Sequence, residues 1–436
     1  MTLEQTDRDA ADEMTLADRS LSPAVPGEAA PIATIPVDAK IKQLSIAMIG
    51  TRGVPAAYGG FETAVEEVGR RLVERGHRVT VYTRGSESRE TRYLGMEIVH
   101  LPALPQKQLE TLSHTGFSTL HAIARRRPDA AFVFNAANSP FLPLLRARGI
   151  PTALHMDGLE WRRSKWGARG KAYYRWAEEF GVRSADALIA DAPGIADYYT
   201  HQFGVPTELI RYGAPILESA PDDGIRKLNL EPNGYHLVVA RFEPENHVLE
   251  IVEGYRRSPA KKPLVVVGSA PYSAEYTRAI HRAARGDARI VFLGGVFDQE
   301  LLDALYFHAF TYVHGHSVGG TNPSLLRAMG AGTAVIAYDV AFNSETLGEQ
   351  AWFFGTADEL SRQFSAVEAD SAMVGEMGAR TRSRAREAFR WGDVAGAYEA
   401  LAVRLTAGES MHDIGRRAER ANEEWDFTAR GVHAAP

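Results

Sequence analysis

One stretch constrains the fold of this chain more than any other: Thr311 to Gly332, TYVHGHSVGGTNPSLLRAMGAG. The β-branched and aromatic run Thr311-Tyr312-Val313 predicts a buried strand. Gly319 and Gly320 predict a turn through backbone conformations closed to other residues. Asn322 stands as an N-cap with Pro323 at the first helical position. Leu325, Leu326 and Met329 give the following helix its apolar face. Strand, glycine turn and capped helix together aim free backbone N–H groups and a helix dipole at an anion. With Thr321, Ser324 and Arg327 as further donors, the stretch reads as a diphosphate cradle. The alternative is a turn that only lets the helix pack closely on a sheet, and a glycine turn by itself does not separate the two.

The same pattern recurs along the chain. An apolar strand, Ser45 to Ile49, runs into a loop ending in Gly59-Gly60. A helix is expected over 61–75, with Phe61, Val65, Val68 and Leu72 on one face and Gly76 as its stop, then a strand over 79–82. Strands over 96–101, 130–134, 152–156 and 187–190 alternate with helices over 111–126 and 171–182. Such alternation predicts a parallel sheet with ligands at the carboxyl ends of its strands, here Gly50, Asn135 and Asp157. The polar segment 216–233 reads as a linker. Beyond it come strands over 235–240, 263–267, 289–293, 334–338 and 352–354, with helices over 248–256, 274–284 and 299–308. The predicted fold class is α/β, two doubly wound Rossmann-like domains facing across a cleft. Residues 1–44 read as a disordered leader and 409–436 as a flexible tail.

Composition narrows the function. A chain of 436 residues exceeds one typical core, and its net charge of −6 argues against a nucleic-acid binder. The absence of cysteine excludes disulfides, cysteine-ligated zinc and thiol chemistry, and fits a reducing compartment. No apolar run approaches bilayer length, and the acidic start lacks the apolar core of a secretory signal. A cytoplasmic protein is expected.

Several residues can carry chemistry. Arg241, in ARFEPEN directly after a strand, can clamp a phosphate, although Glu243 and Glu245 leave a surface ion pair open. His314 and His316 alternate along the strand and so face one side. No third metal ligand stands near them, so His316 is read as a contact to the diphosphate or sugar. Asp157, beside His155 and Glu160, is the group expected nearest an acceptor; its alternative is a turn former in Asp157-Gly158. Trp161 to Trp176 interleaves Arg162, Arg163, Lys165, Arg169, Lys171 and Arg175 with five aromatic residues. That stretch suits an anionic membrane surface, or a solvated basic face over buried rings.

Over about 46–405 the chain resembles the retaining glycosyltransferases of family 4, which have the GT-B fold. Within them it is most similar to the bacterial rhamnosyltransferase-like subgroup of cell-surface polysaccharide synthesis. The motifs are IGTRGVPAAYGGFE, HMDGLEWRRSKW, YGAP, ARFEPEN, GHSVGGTNPSLL and AYDVAFNSE. The resemblance implies a metal-independent, retaining hexosyltransferase with no separate cofactor. Its partners would be a nucleotide-sugar donor and a glycan or lipid-linked glycan, met in the cytoplasm or at the inner face of the membrane. Residues 45–215 would form the acceptor-side domain, 234–390 the nucleotide-sugar domain, and 391–408 a helix returning to the first. Gly59, Gly60, Gly319, Gly320, Thr321, Asn322 and Ser324 would hold the diphosphate with Arg241, and Asp157 and His155 would serve catalysis. Two glutamates usual in the family's second domain fall here on Gly319 and Arg327, and a usual lysine on Asn246. An arginine cannot accept from ribose hydroxyls. Arg327 therefore points to a deoxyribose donor such as dTDP-rhamnose, or to added positive charge at the diphosphate. A dehydrogenase is disfavoured: Gly50-Thr51-Arg52-Gly53 is not G-x-G-x-x-G, and the second strand ends in Thr83-Arg84 without an acidic ribose partner. An epimerase of the same fold and a non-catalytic binder stay open.

Overall fold

The computed structural model describes residues 42–413, apart from 57–58, 86–89, 107–108, 157, 164–165 and 271–272. Most of the expected leader, most of the expected tail, and Asp157 and Lys165 therefore lie outside the described residues.

The first half is β1 (Ser45–Ile49), α1 (Gly60–Glu74), β2 (Arg78–Arg84), β3 (Arg92–Tyr93), β4 (Met96–Leu101), α2 (Glu110–His121), β5 (Ala130–Phe134), α3 (Leu142–Arg146), β6 (Thr152–His155), α4 (Ala168–Ser184), β7 (Ala187–Ala190), α5 (Pro193–Phe203) and β8 (Glu208–Leu209). The described strands pair in the order β3-β4-β2-β1-β5-β6-β7-β8, all parallel except the β3–β4 edge. After a short helix, α6 (Asp223–Arg226), come β9 (His236–Val239), α7 (Val248–Arg257), β10 (Leu264–Val267), α8 (Ala274–Ala284), β11 (Ile290–Gly294), α9 (Gln299–Phe307), β12 (Thr311–His314), α10 (Pro323–Ala331), β13 (Ala334–Tyr338), α11 (Ala341–Leu347), β14 (Trp352–Phe354), α12 (Ala357–Ala369), α13 (Ser371–Ala388) and α14 (Trp391–Thr406). Their sheet is parallel, in the order β11-β10-β9-β12-β13-β14.

The period-two alternation of buried strands decides the layers. In β1, Ile46 and Met48 face α1 and α14, while Ala47 and Ile49 face α2 to α5. In β10, Val265 and Val267 face inward and Leu264 and Val266 face α7, α8 and α12. The inner faces of the two sheets share one continuous apolar core, which includes Leu72, Leu325, Met329 and Tyr398. Each such fully buried side chain contributes about 1.5–3 kcal/mol.

Helix α14 crosses back onto the first domain. Tyr398 packs on Phe132, with ring centroids 4.9 Å apart. Buried Glu399 takes Arg75 Nη1 at 2.5 Å and His77 Nε2 at 2.8 Å, while His77 Nδ1 accepts the Leu44 amide at 3.1 Å. The expected linker contains α6, and several helices (α5, α11, α12, α13) were not expected from the sequence. His316 is not on a strand, because β12 ends at His314.

Candidate active site

A cleft of about 560 Å³ opens along the carboxyl edges of both sheets. Arg52, Gly59, Gly60, Glu160, Arg163 and Asp191 line it from the first domain. Arg241, Asn246, His314, His316, the Gly319–Ser324 turn and Arg327 line it from the second.

The two glycine loops meet at this cleft, and the missing Cβ atoms permit it. A Cβ on Gly60 would lie 2.9 Å from Pro323 Cγ, and one on Gly158 would lie 2.9 Å from Gly319 Cα. A Cβ on Gly320 would overlap the Asp191 carboxylate. Thr321 Oγ1 donates to the Asp191 carbonyl at 2.9 Å, tying the turn to the end of β7. Asp191 was absent from the sequence-derived candidates, although it follows a strand's carboxyl end just as Gly50 and Asn135 do.

Asn322 caps α10 as expected: its Oδ1 accepts the Ser324 amide at 2.9 Å. Pro323 has no N–H, so the donors open to an anion are the turn amides of Gly319, Gly320 and Thr321, which have no hydrogen-bond partner among the described residues. The Ser324 amide is not one of them.

Arg241 follows β9 into the cleft, with Nη2 3.5 Å from the buried Glu243 carboxylate. Asn246 positions its neighbours: Nδ2 donates to the Arg241 carbonyl at 2.8 Å and Oδ1 meets His316 Nδ1 at 2.8 Å. Burial, then the cations Arg163 and Arg241 among other neighbours, holds the His316 ring well below the ordinary histidine range. With Nδ1–H committed to Asn246, the neutral ring presents Nε2 as an acceptor on the Gly319 side. It can take a sugar hydroxyl; it cannot donate to a phosphate. His314 is also buried, is pushed down to about 3 by desolvation, and meets Tyr312 OH at 3.2 Å. No group of three histidine, cysteine or carboxylate side chains suited to a metal occurs among the described residues.

Arg327 reaches the cleft but ion-pairs through Nη1 with Asp303, which also accepts from Gln299 Nε2 at 3.1 Å. Its charge at the diphosphate is therefore partly neutralised. His155, by contrast, is buried among the rings of Phe61, Phe134 and Tyr212, at centroid distances of 5.0, 5.5 and 5.9 Å. Burial pushes it down to about 3, and it is not among the residues lining the cleft.

The basic-aromatic stretch divides. Arg163 is buried in the cleft wall, Nε 3.0 Å from Glu160, and Glu160 also accepts from Trp166 Nε1 at 3.2 Å. Trp161 lies under the guanidiniums of Arg162 and Arg175, at 5.3 and 4.5 Å. Trp166 packs on buried Tyr174, and Trp176 points out.

Residues 59–213 match the family described as glycosyl transferase 4-like domain, and residues 235–370 match glycosyl transferases group 1. No curated protein matches the chain by sequence. Among solved structures, sucrose-phosphate synthase from Thermosynechococcus elongatus superposes with a TM-score of 0.72 at 23% identity, covering 84% of this chain and 100% of that one. Anabaena Alr3699/HepE in complex with UDP-glucose gives 0.68 at 15% identity, covering 83% and 100%. An α,α-trehalose-phosphate synthase (UDP-forming) from Burkholderia vietnamiensis gives 0.63 at 13% identity, covering 84% and 100%. At these identities the superpositions establish the fold, and the two matched domains establish the class of chemistry. The chain is a glycosyltransferase of the GT-B fold, built from a glycosyl transferase 4-like domain and a group 1 domain.

Proposed function

We propose that this glycosyltransferase moves a hexose, with retention, from a nucleotide-sugar to a glycan hydroxyl in cell-surface polysaccharide synthesis. The donor diphosphate rests on the Gly319–Thr321 amides and the α10 dipole, and the acceptor lies on the first domain. One observation carries the reading: turn amides at a capped helix start, with no hydrogen-bond partner among the described residues, line one cleft with guanidiniums from opposite domains, Arg163 and Arg241. As the anomeric C–O bond breaks, negative charge gathers on the leaving diphosphate. Fixed amides and guanidiniums meet that charge without reorganising. His316 Nε2 accepts a hydroxyl of the donor sugar. The HepE structures contain UDP and UDP-glucose, which supports a nucleoside diphosphate here.

The donor proposed first is dTDP-rhamnose, because Arg327 stands where a ribose-accepting glutamate is expected and cannot accept from a hydroxyl. A thermal-shift panel with dTDP, UDP, GDP and ADP and their sugars tests it. Binding to the folded state raises stability by about 2.7 kcal/mol at a hundredfold excess over Kd. A rise with dTDP-rhamnose alone is the expected result. A rise with UDP- or GDP-sugars instead discards rhamnose and keeps the transferase; no rise with any of them overturns the donor site.

A further inference from the structure

Beyond sugar transfer, we propose that the outer face of α2, α3 and α4 docks on an anionic lipid bilayer. These helices cover one face of the first sheet, where Leu142, Leu145 and Val182 join Ala47, Ala131 and Val133. They lie edge to edge: a Cβ on Gly116 of α2 would sit 3.1 Å from the Phe141 ring just before α3. Ser139 Oγ, two residues upstream of that ring, donates to the Ala177 carbonyl of α4 at 2.6 Å.

What this layer turns outward includes large apolar side chains. Phe117 is 43% exposed, Leu120 58%, Leu144 46% and Trp176 49%. Large apolar side chains thus stand exposed on three helices that pack edge to edge. The helix ends around it are cationic: exposed Arg125 and Arg127 follow α2, Arg148 follows α3, and Arg169 opens α4. Residues 110–184 hold 12 Lys and Arg against 6 Asp and Glu, a net +6 within a chain of net −6. An apolar band between cationic rims matches the acyl boundary and phosphate layer of anionic lipid. A nucleic acid would satisfy the arginines and leave the apolar band in water.

Cosedimentation of the full chain with phosphatidylcholine vesicles, with and without phosphatidylglycerol, tests this. Binding to the anionic vesicles alone, released by salt, is expected. Leu120→Ser with Trp176→Ser should abolish it, and Arg125→Gln with Arg148→Gln should weaken it roughly fivefold per charge. All four side chains are solvent-exposed, and an unchanged melting temperature confirms each variant's fold. No binding to anionic vesicles, equal binding to neutral ones, or variants that bind like the parent would overturn the proposal. The readout needs neither nucleotide nor acceptor, so its failure leaves the sugar-transfer reading untouched.

Discussion

Asn246 Oδ1 lies 2.8 Å from His316 Nδ1, and the other end of the same amide donates to the Arg241 carbonyl. The carbonyl fixes the amide's orientation, and the amide fixes the tautomer of the ring. One polar residue thus sets both the path of the Arg241 backbone and the acceptor character of His316. Asn246→Asp places a carboxylate at Nδ1, favours the protonated ring and removes both the Nε2 acceptor and the donor to the Arg241 carbonyl. The expected loss in kcat/KM is at least about tenfold, the equivalent of one hydrogen bond of about 1.4 kcal/mol. The variant should also gain a pH dependence near neutrality where the parent is flat. A flat profile for Asn246→Asp would contradict the assigned tautomer.

Gly320 and Asp191 face each other across the two domains at the glycine turn. A methyl group in Gly320→Ala would overlap the carboxylate, so either the turn or the end of β7 must shift. Overpacking of this kind costs about 1–3 kcal/mol, with weaker nucleotide binding as the turn moves. Asp191→Ala in the same chain should restore part of the stability. A double-mutant cycle from urea unfolding checks it, and strictly additive effects would show that the two residues do not meet.

Elements with strong local signals were legible in the sequence. Strand β4, helix α8 and strand β13 fall at the expected bounds, and the Asn322-Pro323 start of α10 was read from capping chemistry alone. Helix α12 was overlooked, although Thr356 and Glu359 form its capping box. Helix α13 gave less to read, since its buried positions, Val374, Gly378, Thr381 and Ala385, carry little apolar signal. At the site, residue types were legible and partners were not. Arg327 was read as charge aimed at a phosphate because Asp303 stands 24 residues away and only the packing of α9 on α10 joins them. Arg163 sits in a run of basic residues, and only the fold turns it into the cleft while Trp176 turns out.

Arg163 and Arg241 line the cleft at the glycine turn from opposite domains, so under the proposed transfer both domains would meet the leaving diphosphate. Arg163→Lys keeps a charge against Glu160 but loses the planar fork. Removal of such a donor costs about 2.7–4 kcal/mol of transition-state stabilisation, so kcat should fall by about a hundredfold with little change in KM. Steady-state kinetics beside a melting curve separates this from misfolding. A rise in KM at constant kcat would make Arg163 a binding group only.

Three buried histidines make the fold acid-sensitive. Desolvation, joined at His114 by Arg84, pushes His114 down to about 4, and desolvation alone pushes His155 and His314 to about 3, against 6.5 in the unfolded chain. Below 6.5 the unfolded state binds protons that the folded state refuses, so stability rises with pH. Their contribution is complete above 6.5 and is lost as pH falls toward the folded values, each ring costing about 1.4 kcal/mol per pH unit. Together the three contribute about 4 kcal/mol per unit below about pH 5.5, and His316, held well below the ordinary range, adds to it. His155→Phe replaces one ring by another among Phe61, Phe134 and Tyr212 and removes one titrating group. Urea midpoints taken at several pH values between about 7.5 and 5 should show that variant with a slope smaller by about 1.4 kcal/mol per pH unit. An unchanged slope would mean that His155 takes up its proton inside the folded protein, and the packing around it would have to admit a charge.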